Sequence, residues 1–513
     1  MSKRKMGWVL ILLCFFQGWC QERVFGERVI VIGDSITGQS MNLPCGYTHE
    51  VRKVLADAHR NDFSFIPLGG SGSTVRAWHG FLENSYQNRQ QLDIRGIFIK
   101  DELDQGADTI FLFLGMNDAL CPTMETTEEG FARWKKEYQT LLDMLRKRTS
   151  CKRLVLCPPT MLTETPFSYK NQVMDRMSVI MADLARENQV EFLDTRGEFQ
   201  RHFLNARLTD VNFCFTPDCV HPGTLGHSLL AWMFLKKMGL REEAQNYYET
   251  KIPDWMRDFE RPGLSLFVQN SAEPNQAMVK GFLRGGNRED LQVQPPEGWK
   301  LERLEWEDEM AFTLFLSGHC QKNSAPLEVS AGEMRRSVLL NAPFYVAASR
   351  KGPSFANPDQ FDAEKAKTEV DTQIVAGKSP WEVLEKGKPI SWLVYYPTRD
   401  LTGRDDPNAI DFCSISNGNP FEFAYVARKI HSPRDQEGTL KINALSFSTT
   451  AIATLYWNGQ EVYQGCVSPR HVRKSDEVSI SLKKGENILF GRIHHSTWQW
   501  AVSLEIVGEG VTF

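Results

Sequence analysis

The sequence predicts a three-layer, flavodoxin-like α/β domain followed by domains built from β-strands. Between residues 23 and 248, short apolar stretches alternate with amphipathic stretches at helical spacing. This alternation is typical of a parallel sheet covered by helices. After Tyr248, long amphipathic stretches become rare and short strands separated by turn residues replace them. With 513 residues, the chain is too long for one hydrophobic core, so several domains are expected.

The first domain has alternating strand and helix candidates. The predicted strands are residues 29–32, 63–67, 109–114, 154–157 and 191–193. The predicted helices are residues 47–59, 128–147, 171–187 and 223–238. Because parallel strands need right-handed crossover connections, each helix is expected to lie between two strands or after the last one.

The remaining chain is predicted to form a β-sandwich at residues 262–347, a polar connector at 348–388 and a β domain at 389–513. Strands of the sandwich are predicted at residues 264–269, 278–283, 310–316 and 337–340. In the last domain, Asn458-Gly459 separates two strand patterns, which is a strong signal for a two-residue hairpin turn.

Residues 1–20 are predicted to be a secretory signal peptide. Basic residues at positions 3–5 precede an apolar run at 8–16 that is too short to span a bilayer. Gly18 and Cys20 are small residues at a suitable spacing for cleavage after position 20. A lipid anchor on Cys20 is the alternative, but Trp19 matches a lipobox poorly. The protein is therefore expected to be secreted or periplasmic, with no transmembrane segment after cleavage.

Charge and cysteine content exclude several classes of function. The formal net charge of -5 gives no basic field for nucleic acid. Removal of the signal peptide leaves nine of the eleven cysteines, scattered and without a CxxC pair, so no zinc site is predicted. Cys214 and Cys219 could form a disulfide in an exported protein, and buried free thiols are the alternative. Neither a metal nor a cofactor is expected.

Four segments of the first domain follow a predicted strand or precede its last helix. They are Gly33-Asp34-Ser35-Ile36-Thr37, Gly69-Gly70-Ser71-Gly72-Ser73-Thr74, Gly115-Met116-Asn117-Asp118 and Asp218-Cys219-Val220-His221. Ligands of open α/β sheets bind outside the carboxyl ends of the strands. We therefore expect the four segments to meet at that edge and to form the functional site.

Ser35, Asp218 and His221 carry the side chains of a nucleophilic serine site. A serine hydroxyl is a weak nucleophile until a nearby imidazole takes its proton. His221 suits this role because imidazole titrates near neutral pH, with a reference pKa of about 6.5. Asp218 can accept a hydrogen bond from the other ring nitrogen and fix the tautomer. These three residues are predicted to be catalytic.

Acyl transfer also requires hydrogen-bond donors for the negative charge that develops on the carbonyl oxygen. The predicted donors are the backbone amides of Ser35 and Gly72 and the side chain of Asn117. A glycine at position 72 lets the backbone approach a substrate closely, although it could also be an ordinary loop glycine. Arg76 and Trp78 are predicted to line the acyl or sugar pocket, with ordinary loop packing as the alternative.

In their content and order, these segments resemble the four blocks of the SGNH, or GDSL-type, serine hydrolase superfamily over residues 24–245. The resemblance implies a flavodoxin-like fold and ester hydrolysis by a serine nucleophile without a metal. The sequence departs from the family pattern at Pro67, where many members have asparagine.

The carboxyl-terminal domain resembles the galactose-binding-like jelly-roll modules attached to secreted carbohydrate enzymes. The residues that carry this resemblance are Trp457-Asn458-Gly459 and Leu482-Lys483-Lys484-Gly485-Glu486-Asn487. Together with the predicted secretion, it points to acyl esters, above all acetyl esters, on a carbohydrate or polysaccharide.

The sequence therefore predicts a secreted serine esterase that acts on an acylated carbohydrate. Two alternatives remain open at this stage. The same catalytic residues would serve an acyltransferase or a lipid or lysophospholipid esterase. A protein of another class, a carbohydrate-binding protein with a vestigial hydrolase domain, would share the same domain order.

Overall fold

A computed structural model describes most of the chain. The described residues are 27–88, 97–120, 126–271, 275–320, 322–351, 368–380, 393–397, 406–412, 415, 422–444, 451–467, 476–495 and 500–513. The predicted signal peptide and most of the predicted connector lie outside them. No helix within these ranges is long and apolar enough to cross a membrane.

The amino-terminal domain contains a parallel five-stranded sheet. Its strands are β1 (Arg28–Gly33), β2 (Ser64–Gly69), β3 (Ala107–Phe113), β4 (Cys151–Cys157) and β5 (Glu191–Phe192). Their order across the sheet is β2-β1-β3-β4-β5, and every neighbouring pair is parallel. This is the 2-1-3-4-5 order of flavodoxin-like domains, so the predicted α/β fold is confirmed.

Helices connect the strands and complete the domain. They are α1 (Ser35–Ser40), α2 (Tyr47–Asp57), α3 (Val75–Asn88), α4 (Ile99–Asp104), α5 (Met116–Leu120), α6 (Glu128–Arg148), α7 (Tyr169–Glu187), α8 (Thr195–Thr209), α9 (Thr224–Lys237), α10 (Arg241–Lys251) and α11 (Asp254–Arg257). The four predicted helices correspond to α2, α6, α7 and α9. Helix α8 was missed because polar side chains such as His202 and Asn205 interrupt its apolar pattern, although they are buried.

The burial of β1 explains how the sheet presents its functional edge. Val29, Ile30, Val31 and Ile32 are all fully buried. Because successive side chains of a strand point to opposite faces, both faces of the sheet are covered. Strands β1 and β3 lie side by side although β2 separates them in the chain, so the crevice of this fold opens at their carboxyl ends.

The next region is a sandwich of two antiparallel sheets. Its strands are β6 (Gly263–Gln269), β7 (Gln276–Arg284), β8 (Leu291–Gln294), β9 (Trp299–Trp306), β10 (Ala311–Gly318), β11 (Ser324–Ala331) and β12 (Met334–Asn341). One sheet has the order β6-β7-β10-β9 and the other β12-β11-β8. Leu264 and Leu314 of the first sheet share a buried core with Leu327 and Leu340 of the second. The four predicted strands are present as β6, β7, β10 and β12.

The carboxyl-terminal region contains two further sheets and helix α12 (Glu369–Val375). Its strands are β13 (Phe344–Lys351), β14 (Leu393–Tyr395), β15 (Ala409–Asp411), β16 (Glu422–Ser432), β17 (Gln436–Ala444), β18 (Ala451–Trp457), β19 (Gln460–Val467), β20 (Asp476–Leu482), β21 (Gly485–His495) and β22 (Ala501–Val507). The sheets have the orders β14-β13-β16-β21-β18-β19 and β15-β22-β17-β20. The predicted β-rich carboxyl-terminal region is thereby confirmed.

Two local features relate this region to the sequence patterns. Asn458 and Gly459 have φ of 50° and 81°, the pair of left-handed conformations that a two-residue hairpin between β18 and β19 requires. Strand β13 crosses the predicted boundary at 347/348 and pairs with β16, so residues 344–347 join the carboxyl-terminal sheet. The division into domains otherwise stays a prediction.

Candidate active site

The turn from β1 into α1 presents Ser35 at the carboxyl edge of the sheet. A Cβ at Gly33 would lie 2.0 Å from Oγ1 of Thr37, so only glycine fits where the strand ends. The next residue, Asp34, caps the helix through Oδ1, which accepts the Ile36 N–H at 2.9 Å. Ser35 is consequently the first residue of α1, and its backbone N–H has no partner within the helix.

Ser35, His221 and Asp218 form one hydrogen-bonded chain. Nε2 of His221 lies 2.9 Å from Oγ of Ser35. Nδ1 of His221 lies 2.7 Å from Oδ2 of Asp218. With Nδ1 donating to the carboxylate, Nε2 is free to accept the serine proton, which is the tautomer that a general base needs. The structure thus brings together the three residues that the sequence analysis selected.

The loop that carries Asp218 and His221 is fixed by the same carboxylate. Oδ1 of Asp218 accepts the backbone N–H groups of Val220 at 3.0 Å and of His221 at 2.7 Å. Asp218 therefore uses one oxygen to shape its loop and the other to orient the imidazole. The His221 side chain is 25% exposed, so water can reach the ring.

Burial and charge have opposite effects on the pKa values of this group. Burial lowers the pKa of His221, but the hydrogen bond that His221 donates to Asp218 and the charges of Asp218 and Asp34 raise it above its ordinary 6.5. Burial raises the pKa of Asp218, but its hydrogen bonds with His221 and Val220 hold it below 3.8. Burial also raises the pKa of Asp34 to about 6. Near neutral pH, two carboxylates thus stabilise the protonated form of His221.

The expected oxyanion donors lie just past the carboxyl ends of β1, β2 and β3. Gly72 has φ of 70°, a left-handed conformation that favours glycine. Asn117 is almost fully buried at the start of α5, directly after β3. Its Nδ2 donates to the carbonyl oxygen of Ser73 at 3.0 Å, which ties it to the glycine-rich loop. An amide nitrogen has two donors, so a second N–H of Asn117 remains for a ligand.

Asp118 connects the same two loops. Its carboxyl oxygens accept the Val75 N–H at 3.2 and 3.3 Å, at the first residue of α3. Burial raises the pKa of Asp118 to about 7. A buried side chain that caps a helix has a structural role.

The structure separates the two residues that were predicted to line the substrate pocket, Trp78 and Arg76. Trp78 is fully buried, and its Nε1 donates to the carbonyl oxygen of Gly33 at 3.1 Å. The assignment of Trp78 to the pocket wall is therefore corrected: its indole supports the end of β1 from within the core. Arg76, in the first turn of α3, is exposed and stays a candidate for substrate contact.

Residues 218–221, which carry two of the predicted catalytic side chains, are called the catalytic loop below. Sequence analysis did not identify the residues that hold this loop from the opposite side. Oε1 of the buried Glu164 accepts both the N–H of Thr216 at 2.7 Å and its hydroxyl at 2.6 Å. The N–H of Thr163 donates to the carbonyl oxygen of Cys219 at 2.7 Å. Thr163 and Cys219 both have positive φ, 61° and 74°, which is uncommon for residues other than glycine. No sequence motif marks Glu164, because its partner is 52 positions away.

A contact with the carboxyl-terminal region was also missed. Cys219, between the two catalytic-loop residues Asp218 and His221, packs in a small buried cluster with Ala409 of β15 and Ala501 of β22. The catalytic loop is therefore enclosed by the α/β domain on one side and by a β-sheet on the other. Small apolar residues carry no sequence signal for such a contact.

The described residues contain no group of three or more histidine, cysteine, aspartate or glutamate side chains arranged for a metal ion. Cys214 and Cys219 are both free thiols, so the disulfide considered for this pair is not formed. The side chains and backbone groups that the site presents are a hydroxyl, an imidazole, carboxylates and amide donors.

The flavodoxin-like fold and the hydrogen-bonded chain of Ser35, His221 and Asp218 are typical of serine hydrolases. The comparison with known protein families points to the same class. Residues 31–229 match the GDSL-like Lipase/Acylhydrolase family. The match supports a GDSL-like lipase/acylhydrolase domain in this part of the chain, with the activity of a carboxylic ester hydrolase.

Individual relatives narrow the comparison. The chain is similar to an acetylxylan esterase from Geobacillus stearothermophilus, with 24% identity over 229 residues, 42% of this chain and 94% of the relative. Among solved structures, the acetyl xylan esterase AlAXEase is 21% identical in sequence. The match covers 41% of this chain and 98% of the AlAXEase chain, with a TM-score of 0.33. The structure of Axe2, an acetylxylan esterase from G. stearothermophilus, is 21% identical in sequence. The match covers 42% of this chain and 95% of the Axe2 chain, with a TM-score of 0.31. Each match covers less than half of this chain.

Proposed function

We propose that the protein is a secreted serine esterase that removes acyl groups, above all O-acetyl groups, from a carbohydrate through an acyl-enzyme on Ser35. The observation that carries this proposal is the continuous chain from Oγ of Ser35 through His221 to Asp218, with distances of 2.9 and 2.7 Å. Hydrogen-bond distances of this size permit proton transfer.

In the first half of the reaction, Nε2 of His221 takes the proton of Ser35 while Oγ attacks the ester carbonyl. The carbonyl oxygen gains negative charge, and the N–H groups of Ser35, Gly72 and Asn117 are the donors that would stabilise it. Collapse of this intermediate breaks the bond to the alkoxy oxygen, and the imidazolium of His221 gives its proton to the departing alcohol. The acyl group remains on Ser35.

In the second half, water enters beside the exposed edge of His221 and loses a proton to Nε2. The resulting hydroxide attacks the acyl-enzyme, and the same donors receive the charge. The proton on His221 returns to Oγ of Ser35 and the carboxylic acid leaves. Asp218 keeps its charge throughout and stabilises the imidazolium in both halves.

A carbohydrate ester is the proposed substrate because the relative found by sequence is an acetylxylan esterase. The predicted signal peptide and the β-rich carboxyl-terminal region, with its resemblance to modules of secreted carbohydrate enzymes, agree with this choice. The His221 side chain is 25% exposed, which also suits an ester on a polymer, since a bulky alcohol can leave on the open side of the imidazole.

The test is acetate release from acetylated xylan by the full-length protein, with Ser35→Ala as the active-site variant. We expect Ser35→Ala to lose activity while Ser479→Ala, an exposed serine on β20, keeps it. Retained activity in Ser35→Ala would overturn the assignment of the nucleophile. Product analysis with added sugar acceptors distinguishes hydrolysis from acyl transfer. An assay with a lysophospholipid substrate distinguishes a carbohydrate esterase from a lipid esterase. Binding of xylan without any acetate release by the wild type would support the vestigial-domain alternative.

A further inference from the structure

A second site is suggested by a cavity of about 320 Å³ where the α/β domain meets both β-rich regions. We propose that this cavity binds sugar units of the carbohydrate chain at a distance from the ester that is cleaved. We call it the junction pocket. Its polar and aromatic walls include Tyr169, Gln172, Gln269, Asn270, Tyr395 and Asp411. The proposal rests on the proposed function for its substrate, but its test does not require turnover.

The side chains of the junction pocket fit the chemistry of a sugar. A sugar ring carries hydroxyl groups that both donate and accept hydrogen bonds, and amides offer both kinds of partner. Gln172 is exposed on the first turn of α7, and its Nε2 donates to the carbonyl oxygen of Phe167 at 3.0 Å, so its Oε1 can accept. Nε2 of Gln269 is buried without a hydrogen-bond partner in the part of the chain that the structure describes. Such an unmet donor requires a water or a ligand.

Aromatic rings and one carboxylate complete the walls. Tyr169 and Tyr395 add ring surface against which the C–H groups of a sugar can pack. Asp411 is buried at the end of β15, and its backbone N–H donates to the hydroxyl of Tyr395 at 3.1 Å, which fixes the two residues together.

Other ligand classes fit less well. The described lining residues include neither lysine nor arginine, so a phosphate or another anion would find only a carboxylate. An apolar acyl chain would leave the buried Nε2 of Gln269 without a hydrogen-bond partner, at a cost in free energy. A different cavity, lined by Leu204, Phe282 and Met310, has the apolar walls that an acyl chain would need.

The junction pocket is next to the catalytic loop. Thr165 forms part of its wall, and Thr163, two residues earlier, donates to Cys219 of that loop. Two residues of extended chain span at most about 7 Å. On the other side, β15 supplies Asp411 to the pocket and Ala409 to the contact with Cys219. These two connections place the pocket close to the loop that carries His221, and the proposal is that one polymer chain reaches both.

The experiment measures sugar binding by the full-length Ser35→Ala protein, which cannot turn over an ester. Xylohexaose, mannohexaose and cellohexaose are titrated by calorimetry. We expect at least one hexasaccharide to bind, and we expect Gln172→Ala together with Gln269→Ala to raise its Kd by about tenfold or more, as the loss of two hydrogen bonds implies. Gln294→Ala is the matched control, because Gln294 is an exposed glutamine at the edge of a different cavity.

The outcomes separate the two proposals. Absence of binding by all three hexasaccharides, or equal Kd values for the pocket variant and the Gln294→Ala control, overturns the junction pocket. The single variant Gln172→Ala, on an exposed side chain, repeats the test if the double variant does not fold.

In the active protein, the ratio of kcat/KM on acetylated xylo-oligosaccharides to that on p-nitrophenyl acetate should fall in the pocket variant. Acetate release by Ser35→Ala would instead overturn the proposed function and leave the binding result intact.

Discussion

Nε2 of His221 and Oγ of Ser35 lie 2.9 Å apart although 186 positions separate them in the chain. Ser35 is held by the end of β1 and the first turn of α1, and His221 by the loop before α9. The sheet order places β1 between β2 and β3, and the loop before α9 brings His221 to the carboxyl end of β1. The chemistry proposed for the protein depends on this distance.

The rate of ester hydrolysis should fall as the pH drops. His221 must be neutral to accept the serine proton, and Asp218 together with Asp34 raises its pKa above 6.5. The neutral form is therefore lost as the pH falls through that raised pKa, and kcat/KM should reach half its maximum above pH 6.5. The pH profile of kcat/KM on p-nitrophenyl acetate measures this midpoint. A profile that is flat down to pH 5 would contradict the role of His221.

Asp34→Asn tests the electrostatic part of that prediction. Asparagine can still cap α1, but it removes a negative charge near His221 and a group whose own pKa is about 6. We expect the acidic limb of the pH profile to move to lower pH. An unchanged limb would show that Asp34 has no effect on His221.

Asn117→Ala should lower kcat by about 10² to 10³, the usual effect of removing one side-chain oxyanion donor. The reason is that the charge on the carbonyl oxygen develops only in the transition state. Steady-state kinetics on p-nitrophenyl acetate provides kcat. Asn246→Ala, on the exposed face of α10, is the control and should behave like the wild type. A change in kcat of less than tenfold in Asn117→Ala would remove this residue from the oxyanion site.

Glu164→Ala should impair catalysis although Glu164 is not one of the proposed catalytic residues. It removes the acceptor for two hydrogen bonds from Thr216, and hydrogen bonds to a charged group contribute about 1.5–3 kcal/mol each. We expect a lower kcat, a lower thermal midpoint and an acidic limb that moves toward the ordinary pKa of histidine, because the contact between Asp218 and His221 loosens.

Glu164→Gln distinguishes positioning from a charge effect. The amide oxygen of glutamine can accept the same bonds from Thr216, so activity and the acidic limb should largely return. If Glu164→Gln is as impaired as Glu164→Ala, the charge of Glu164 matters and the positioning role is wrong.

A buried ion pair should stabilise the attachment of α12 to the carboxyl-terminal sheets. Asp371 of α12 and Arg492 of β21 form an ion pair in which both side chains are almost completely buried. Removal of one partner leaves a buried charge, so Arg492→Leu should lower the free energy of unfolding by about 3–5 kcal/mol. Chemical denaturation measures this change. The double variant Arg492→Leu with Asp371→Leu should recover part of it, and equal loss in both variants would argue against the pair.

An exposed pair is the control for that experiment. Arg434 and Glu509 are in contact but their side chains are 61% and 78% exposed. Since solvent screens such pairs, Arg434→Ala should leave the free energy of unfolding nearly unchanged.

Local sequence patterns predicted the five strands of the α/β sheet, four of the eleven helices that the structure describes in that domain and four of the seven described strands of the sandwich, because these elements have a regular apolar period or a short apolar run. The four segments of the site were also visible, since each directly follows a strand or precedes a helix. Helix α8 was not predicted, because polar side chains such as His202 interrupt its apolar pattern and are nevertheless buried in the tertiary structure. Trp78 was misplaced because nothing local distinguishes an indole in a pocket wall from one in the core.

Long-range support of the site could not be predicted. Glu164 is in a loop without a motif, and the contact of Cys219 with Ala409 and Ala501 joins three small side chains from distant parts of the chain. Such contacts depend on how domains pack together, which periodicity does not encode. They are also the contacts through which the β-rich regions can influence the catalytic loop.

The most direct test of the central claim is to identify the acyl-enzyme. The protein is mixed with p-nitrophenyl acetate, quenched in acid within the first turnover and digested for peptide mass spectrometry. We expect an added acetyl group on Ser35, absent from Ser35→Ala and persistent when deacylation is slowed at low pH. An acetyl group found on another residue, or turnover by Ser35→Ala at the wild-type rate, would contradict the account.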